Sequence, residues 1–268
     1  MSDLLFQPLH WLADANIAAL AAALFLLMLA ALELCYRLGR NAVLAAPAGE
    51  GLKTATGIVT AGMLGLFAFL LGVMFSLASD RYEKRRQSAL DEANAIGTVW
   101  LRAELVMPEG AVIRARLRDY LPLRVETVRG IATEAEAARV VAETARLQGE
   151  IWAQVAIVAA RTPTAVVGSL ITSVNEMFDL ATTNRRNFQH GVPPYVLRLV
   201  VAVAVLSVGA MGYQLGIHGH RQLVVTMLLL ATWTMALALV LDIDSAGQGS
   251  VRVSPATMIW TMESWGPR

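Results

Sequence analysis

The sequence predicts an all-α polytopic membrane protein, with four transmembrane helices and a helical cytoplasmic bundle between helices 2 and 3. Three observations predict it. The chain is 56% hydrophobic over 268 residues, and its mean hydropathy is +0.54, more than a soluble domain of this length carries. Four segments, Ala15–Leu34, Ile58–Ala78, Tyr195–Gly216 and Leu223–Leu241, each supply the roughly 20 apolar residues that a hydrocarbon core asks for. Between the second and third lies Ser79–Pro194, with 15 basic and 14 acidic residues and no strand-like alternation, so it reads as a polar helical insert. The organisation is therefore 1–78, a first helix pair; 79–194, the insert; 195–241, a second helix pair; and 242–268, a C-terminal cytoplasmic tail.

Each element follows from its residues. Asp3 and Asp14 precede the first span, where a secretory signal wants Lys or Arg, so the first helix is expected to be retained. The AVLAAPA stretch at 42–48 is only faintly like a cleavage site. Glu33 and Arg198 are the charged residues within the spans. Both sit near an end, where long side chains reach the headgroups. Arg37–Gly57, with Gly and Pro and little periodicity, reads as a loop.

The second span is the most informative segment. GMLGLFAFLLGVMFSLASDRYEKRR, Gly62 to Arg86, passes from an apolar run into a charged helical pattern without a proline. That describes a membrane helix continuing into water as a stalk. Gly65, Phe69 and Val73 recur at i, i+4 and i+8 and share one face. They are the candidate pore-lining residues, and Arg81 is the candidate cation at the inner pore mouth.

Within the insert, helices are expected over Asp80–Leu105, Pro108–Ile131, Thr133–Arg161 and Pro163–Asn187. Pro108 and Pro163 suit first-turn positions, and Thr133 with Glu136 fits a capping box. Gly97 and Thr98 interrupt a strong helix former, as close packing or a bend would require. Ile217–Gln222 is a short loop. The last fifteen residues read as a loosely held tail, with Met258, Ile259, Trp260 and Met262 suited to docking on the insert or on a neighbour. Trp233, Trp260 and Trp265 near span ends suit an interfacial belt. Ala18, Ala21, Ala22, Gly62 and Gly65 permit close helix packing.

An even number of spans puts both termini and the insert on one side. Near the membrane that side carries Arg81, Lys84, Arg85, Arg86, Arg185 and Arg186, against Arg37, Arg40, Lys53 and Arg221 opposite. The positive-inside rule makes the insert cytoplasmic. A net charge of +1 argues against a nucleic-acid partner. Cys35 is the only cysteine, so an intrachain disulfide is impossible.

No enzyme signature is present. His10, His190, His218 and His220 are scattered, and neither HExxH, a P-loop nor GxSxG occurs. His218 and His220 lack a third metal ligand nearby. Asp242 and Asp244 with Ser245 and Gln248 could touch a calcium ion, which prefers six or more oxygens, but the acidic run expected of such a site is missing. No catalytic residue, metal or cofactor is expected.

LLGVMFSLASDRYE, with Leu71–Gly72 followed nine residues on by Arg81–Tyr82, resembles the second-helix motif of the bestrophins. EANAIGTVWLRAE and the tail LDIDSAGQGSVRVSP resemble more closely the bacterial bestrophin-like proteins, over roughly residues 55 to 258. The resemblance implies a homo-oligomer, a pentamer in the bestrophins, that conducts small inorganic anions. On that motif the family's apolar neck falls at Gly65, Phe69 and Val73. Gly65 stands where the family has a bulky neck residue, and Glu83 replaces the second aromatic. The acidic calcium clasp of animal members is missing, so calcium gating is not carried over.

Three functions fit: an oligomeric, anion-conducting membrane channel lined by the second helix, in a bacterial inner membrane; a non-conducting membrane scaffold or stress-response protein; and a subunit of a proton-coupled membrane machine. The last needs a titratable or hydroxyl group deep in a span. Thr60, Thr226, Thr232 and Thr234 are available, but Thr also satisfies itself on its own helix.

Overall fold

The computed structural model describes residues 17–131, 133–189, 191–245 and 249–266. The readings placed on Asp3, His10, Asp14, Ala15, His190 and Gln248 lie outside them. Among the described residues there are eight helices and no strand: α1 (Ile17–Ala45), α2 (Glu50–Glu104), α3 (Gly110–Arg129), α4 (Glu134–Arg161), α5 (Ala165–Gln189), α6 (Pro194–His218), α7 (Leu223–Asp244) and α8 (Ala256–Glu263). Four of them, α1, α2, α6 and α7, are long and apolar enough to cross a membrane.

The first loop is far shorter than expected. α1 runs to Ala45 and α2 begins at Glu50, so only residues 46–49 connect them. Gly51 and Gly57 weaken a helix without ending it, whereas Pro47, which has no N–H to give, does end one. Lys53 pairs with Glu50 at 2.7 Å, and the Thr54 and Thr56 hydroxyls donate to the Glu50 and Leu52 carbonyls four residues back. α2 then continues unbroken for 55 residues.

The chain divides into two compact units, Met1–Asp80 with Val192–Ser245, and Arg81–Gly191 with Ala246–Arg268. In the first, α1 buries Leu20, Leu24, Met28 and Leu32, a stripe at four-residue spacing. It faces α6 across glycines. A Cβ added at Gly212 would lie 2.3 Å from the Leu32 carbonyl oxygen; at Gly216, 2.2 Å from that of Tyr36; and at Gly39, 2.3 Å from that of Tyr213. The backbones can approach so closely only because these positions carry no side chain. Of the small residues singled out from sequence, Gly62 and Gly65 make no such approach, since a Cβ at either would meet nothing within 4 Å, and Ala22 is exposed.

α2 joins this unit through Phe67, Met74 and Ala78, all buried. The Ser207 hydroxyl donates to the Met63 carbonyl at 3.0 Å, and Thr60 donates to that of Ala210 at 3.4 Å. Phe67 meets Trp233 edge-on, with ring centroids 5.0 Å apart. Trp233 thus packs on α2 and stays half-buried. Gly219, at φ +74°, ends α6 by turning its N–H back to the Leu215 and Gly216 carbonyls. Both Asp244 carboxylate oxygens accept from the Val192 N–H, at 3.1 and 2.9 Å, and hold the entry to α6. Glu33 pairs with Arg37 at 2.8 Å and with Arg221 at 3.1 Å, so it is more than a lone headgroup anchor.

The second unit packs α3, α4, α5 and α8 with the later part of α2. Ile96, Val99 and Ala103 of α2, Ile113, Leu117, Tyr120 and Leu121 of α3, Leu147 and Ile151 of α4, and Leu170, Val174 and Met177 of α5 form its core. Thr133 caps α4 by accepting from the Glu136 N–H at 3.2 Å. The tail is not loose. It forms α8, buries Met258 completely, and stacks Trp265 on Trp100 at 4.2 Å with planes 5° apart. Trp265 is therefore a core residue, and Trp260 remains exposed. A Cβ at Gly97 would sit 3.7 Å from Thr261 of α8, an ordinary van der Waals contact, so the docking of α8 does not depend on that glycine. Arg114 and Arg118 lie over the Trp100 ring, at 4.0 and 5.2 Å from its centroid, and Arg118 also donates to the Trp265 carbonyl at 2.9 Å.

Candidate functional site

α2 presents two different faces between residues 58 and 78. Thr60, Phe67, Met74 and Ala78 turn toward their own chain and are buried. Gly65, Phe69 and Val73 turn away. At four-residue spacing successive side chains are about 40° apart round the helix, so the three form one strip. Phe69 is 67% exposed and Val73 40% exposed. A Cβ at Gly65 would meet nothing within 4 Å. From Gly65 a row of small residues runs beside this strip, and sequence reading missed its continuation: Ala68, Gly72 and Ser76 are exposed as well. Their three- and four-residue spacing was the available signal, and so was the GxxxG of Gly212 and Gly216 in α6.

The candidate spans differ in how far the chain covers its own apolar surface. The most apolar stretch of α2 is 17% buried, against 39% for α6 and 33% for α7. In water such exposure would cost much hydrophobic free energy, but lipid tails are as apolar as leucine and accept it.

Arg81 lies in the other unit. Its Nη1 donates to the Gly191 carbonyl at 2.9 Å, so the guanidinium is held by its own chain at a half-buried position. Of the six cations counted on the insert side, Arg85 is only 2% exposed and belongs to the interior. His218 and His220 are exposed, with His218 Nδ1 2.8 Å from the Gln214 carbonyl. Among the described residues no three His, Cys, Asp or Glu side chains cluster as metal ligands would.

The second unit holds a buried polar network that no motif announced. Glu92 is fully buried and Arg124 is 3% exposed. Arg124 Nε donates to Glu92 Oε1, and its Nη2 donates to Oε2 at 3.2 Å and to the Ala181 carbonyl at 3.4 Å. Asn184 Nδ2 also donates to Glu92 Oε2, and the Ser88 hydroxyl donates to Asn184 Oδ1 at 3.1 Å. Burial works against the charge on Arg124, yet the Glu92 carboxylate outweighs it and raises the guanidinium pKa. Burial likewise pushes the neighbouring Tyr120 phenol up to about 12, against the pull of Arg124. The signal was an acid, Glu92, on the same helical face as Ala89, Ile96 and Val99, which are all buried.

A model of the Bestrophin-like domain matches residues 26–258. No curated protein and no solved structure matches the chain. A domain match over most of the chain, four helices able to cross a membrane and an all-helical insert lead to one conclusion: this is a membrane protein that belongs to the Bestrophin-like family.

Proposed function

We propose that the chain is the subunit of an oligomeric membrane channel that conducts small inorganic anions, with α2 helices encircling the pore. The observation that carries this reading is the outward strip of α2: Gly65, Phe69 and Val73, exposed on the least covered of the four spans. A ring of copies would cover the strip and form an apolar throat. Aromatic edges carry partial positive charge that an anion can contact, and apolar constrictions gate by dewetting. The small row of Gly65, Ala68, Gly72 and Ser76 lets neighbouring α2 helices approach closely. Arg81, fixed on the Gly191 carbonyl, adds positive potential at the inner mouth. Family resemblance favours five copies in a bacterial inner membrane, and the charge distribution favours both termini and the insert on the cytoplasmic side.

The test is a current. Purified protein in planar bilayers is expected to pass chloride, and Phe69→Ala to raise unitary conductance or change anion selectivity. A ring-shaped oligomer that passes no current, or Phe69→Cys copies that never cross-link to one another in membranes, would overturn the proposal.

A further inference from the structure

A cavity of about 320 Å³ opens in the second unit between the end of α3, the first half of α4 and the end of α5. Its size falls at the low end of the roughly 300–1,000 Å³ typical of small-molecule sites. Among the described residues, the only charged ones lining it are Arg124 and Arg185, and none is a carboxylate. Val140, Phe188 and several alanines supply apolar wall, and Thr144 and Gln148 supply polar groups.

The donors there are not all used. A guanidinium has five N–H groups. In Arg124, Nε serves Glu92, Nη2 serves Glu92 and the Ala181 carbonyl, and Nη1 gives one hydrogen to Thr127 at 3.4 Å. One Nη1 hydrogen is left. Arg185 has no polar partner among the described residues. The Thr144 hydroxyl is buried without a hydrogen-bond partner, a state that costs free energy unless something satisfies it.

We propose that this cavity binds a small organic anion, a carboxylate on a short apolar body, with the carboxylate between Arg124 and Arg185 and the body against Val140 and Phe188. A neutral apolar molecule would leave the spare Arg124 Nη1 hydrogen and the Arg185 guanidinium unused. A compact inorganic anion would leave the apolar wall unfilled. The site lies wholly within the insert and is independent of the conduction reading.

The full chain in detergent, titrated calorimetrically with hexanoate, tests it. Saturable binding at one site per chain is expected, weakened about tenfold or more by Arg185→Gln, since charge-assisted hydrogen bonds contribute on this order. Arg185 is exposed and has no polar partner among the described residues, so that variant keeps its fold. Ala145→Trp, at an exposed position on the cavity wall, is expected to abolish binding by filling the space. Hexanol, with the same body and no charge, should bind at least tenfold more weakly. The proposal is overturned if hexanoate shows only non-saturable partitioning, if neither variant changes its affinity, if hexanol binds equally well, or if inorganic phosphate displaces hexanoate at equal concentration.

Discussion

Replacing Glu92 by Gln exchanges two oxygens for one oxygen and an amide nitrogen of nearly the same shape. In the native structure both Glu92 oxygens accept: Oε1 from Arg124 Nε, and Oε2 from Arg124 Nη2 and Asn184 Nδ2. Whichever way the new amide turns, its N–H₂ confronts an N–H donor. The Arg124 charge stays buried, at 3% exposure, without its counter-ion. Breaking a buried pair from one side costs about 3–5 kcal/mol. With roughly 2–4 °C of midpoint shift per kcal/mol for chains of this size, Glu92→Gln should unfold roughly 6–20 °C lower. The assay is the thermal loss of helical circular dichroism in detergent. A double variant, Glu92→Leu with Arg124→Leu, removes both charges and should recover at least half of the loss, because two apolar side chains of similar volume tolerate burial. A Glu92→Gln midpoint within about 2 °C of the native one would refute the reasoning, since the pair would then lack the unrelieved desolvation assigned to it. A double variant less stable than the single one would refute it as well.

Other expectations follow from the same contacts. Gly216→Ala drives a Cβ to 2.2 Å from the Tyr36 oxygen and should destabilise the protein by about 1–3 kcal/mol in the same melts. Gly62→Ala meets nothing within 4 Å and should leave the midpoint unchanged or slightly raised, because alanine is the better helix former. A large loss at Gly62 and none at Gly216 would reverse the assignment of faces. The Tyr120 phenol ionises at about 12 when folded and near 10 when unfolded, so its contribution is complete below pH 10 and is lost as pH rises toward 12. Across that window Tyr120→Phe should flatten the decline of the midpoint, removing up to about 2–3 kcal/mol of pH dependence. Parallel melts of both proteins from pH 9 to 11.5 decide it, and identical slopes would count against a buried, neutral phenol.

Periodicity and apolar length made the spans legible. α2 carries no proline between Glu50 and Glu104, so nothing local could end it, and the stalk was readable at once. The outward strip of Gly65, Phe69 and Val73 was readable for the same reason: residues four apart share a face whatever lies opposite. Loop boundaries were less legible around Gly51 and Gly57, where side-chain bonds and continuing helical geometry carried α2 through residues that usually mark a turn.

The amino-acid sequence by itself determined the all-helical class, which segments are apolar enough for a bilayer, and which residues share each helical face. Only the tertiary structure decided which faces meet. Glu92 finds Arg124 across 32 positions, Trp265 stacks on Trp100, and Gly39 lies against Tyr213. The reason is that helical periodicity is a local property of the backbone, whereas the partner of a buried charge or a missing side chain is chosen by how separate helices pack, and that choice leaves no mark at short range.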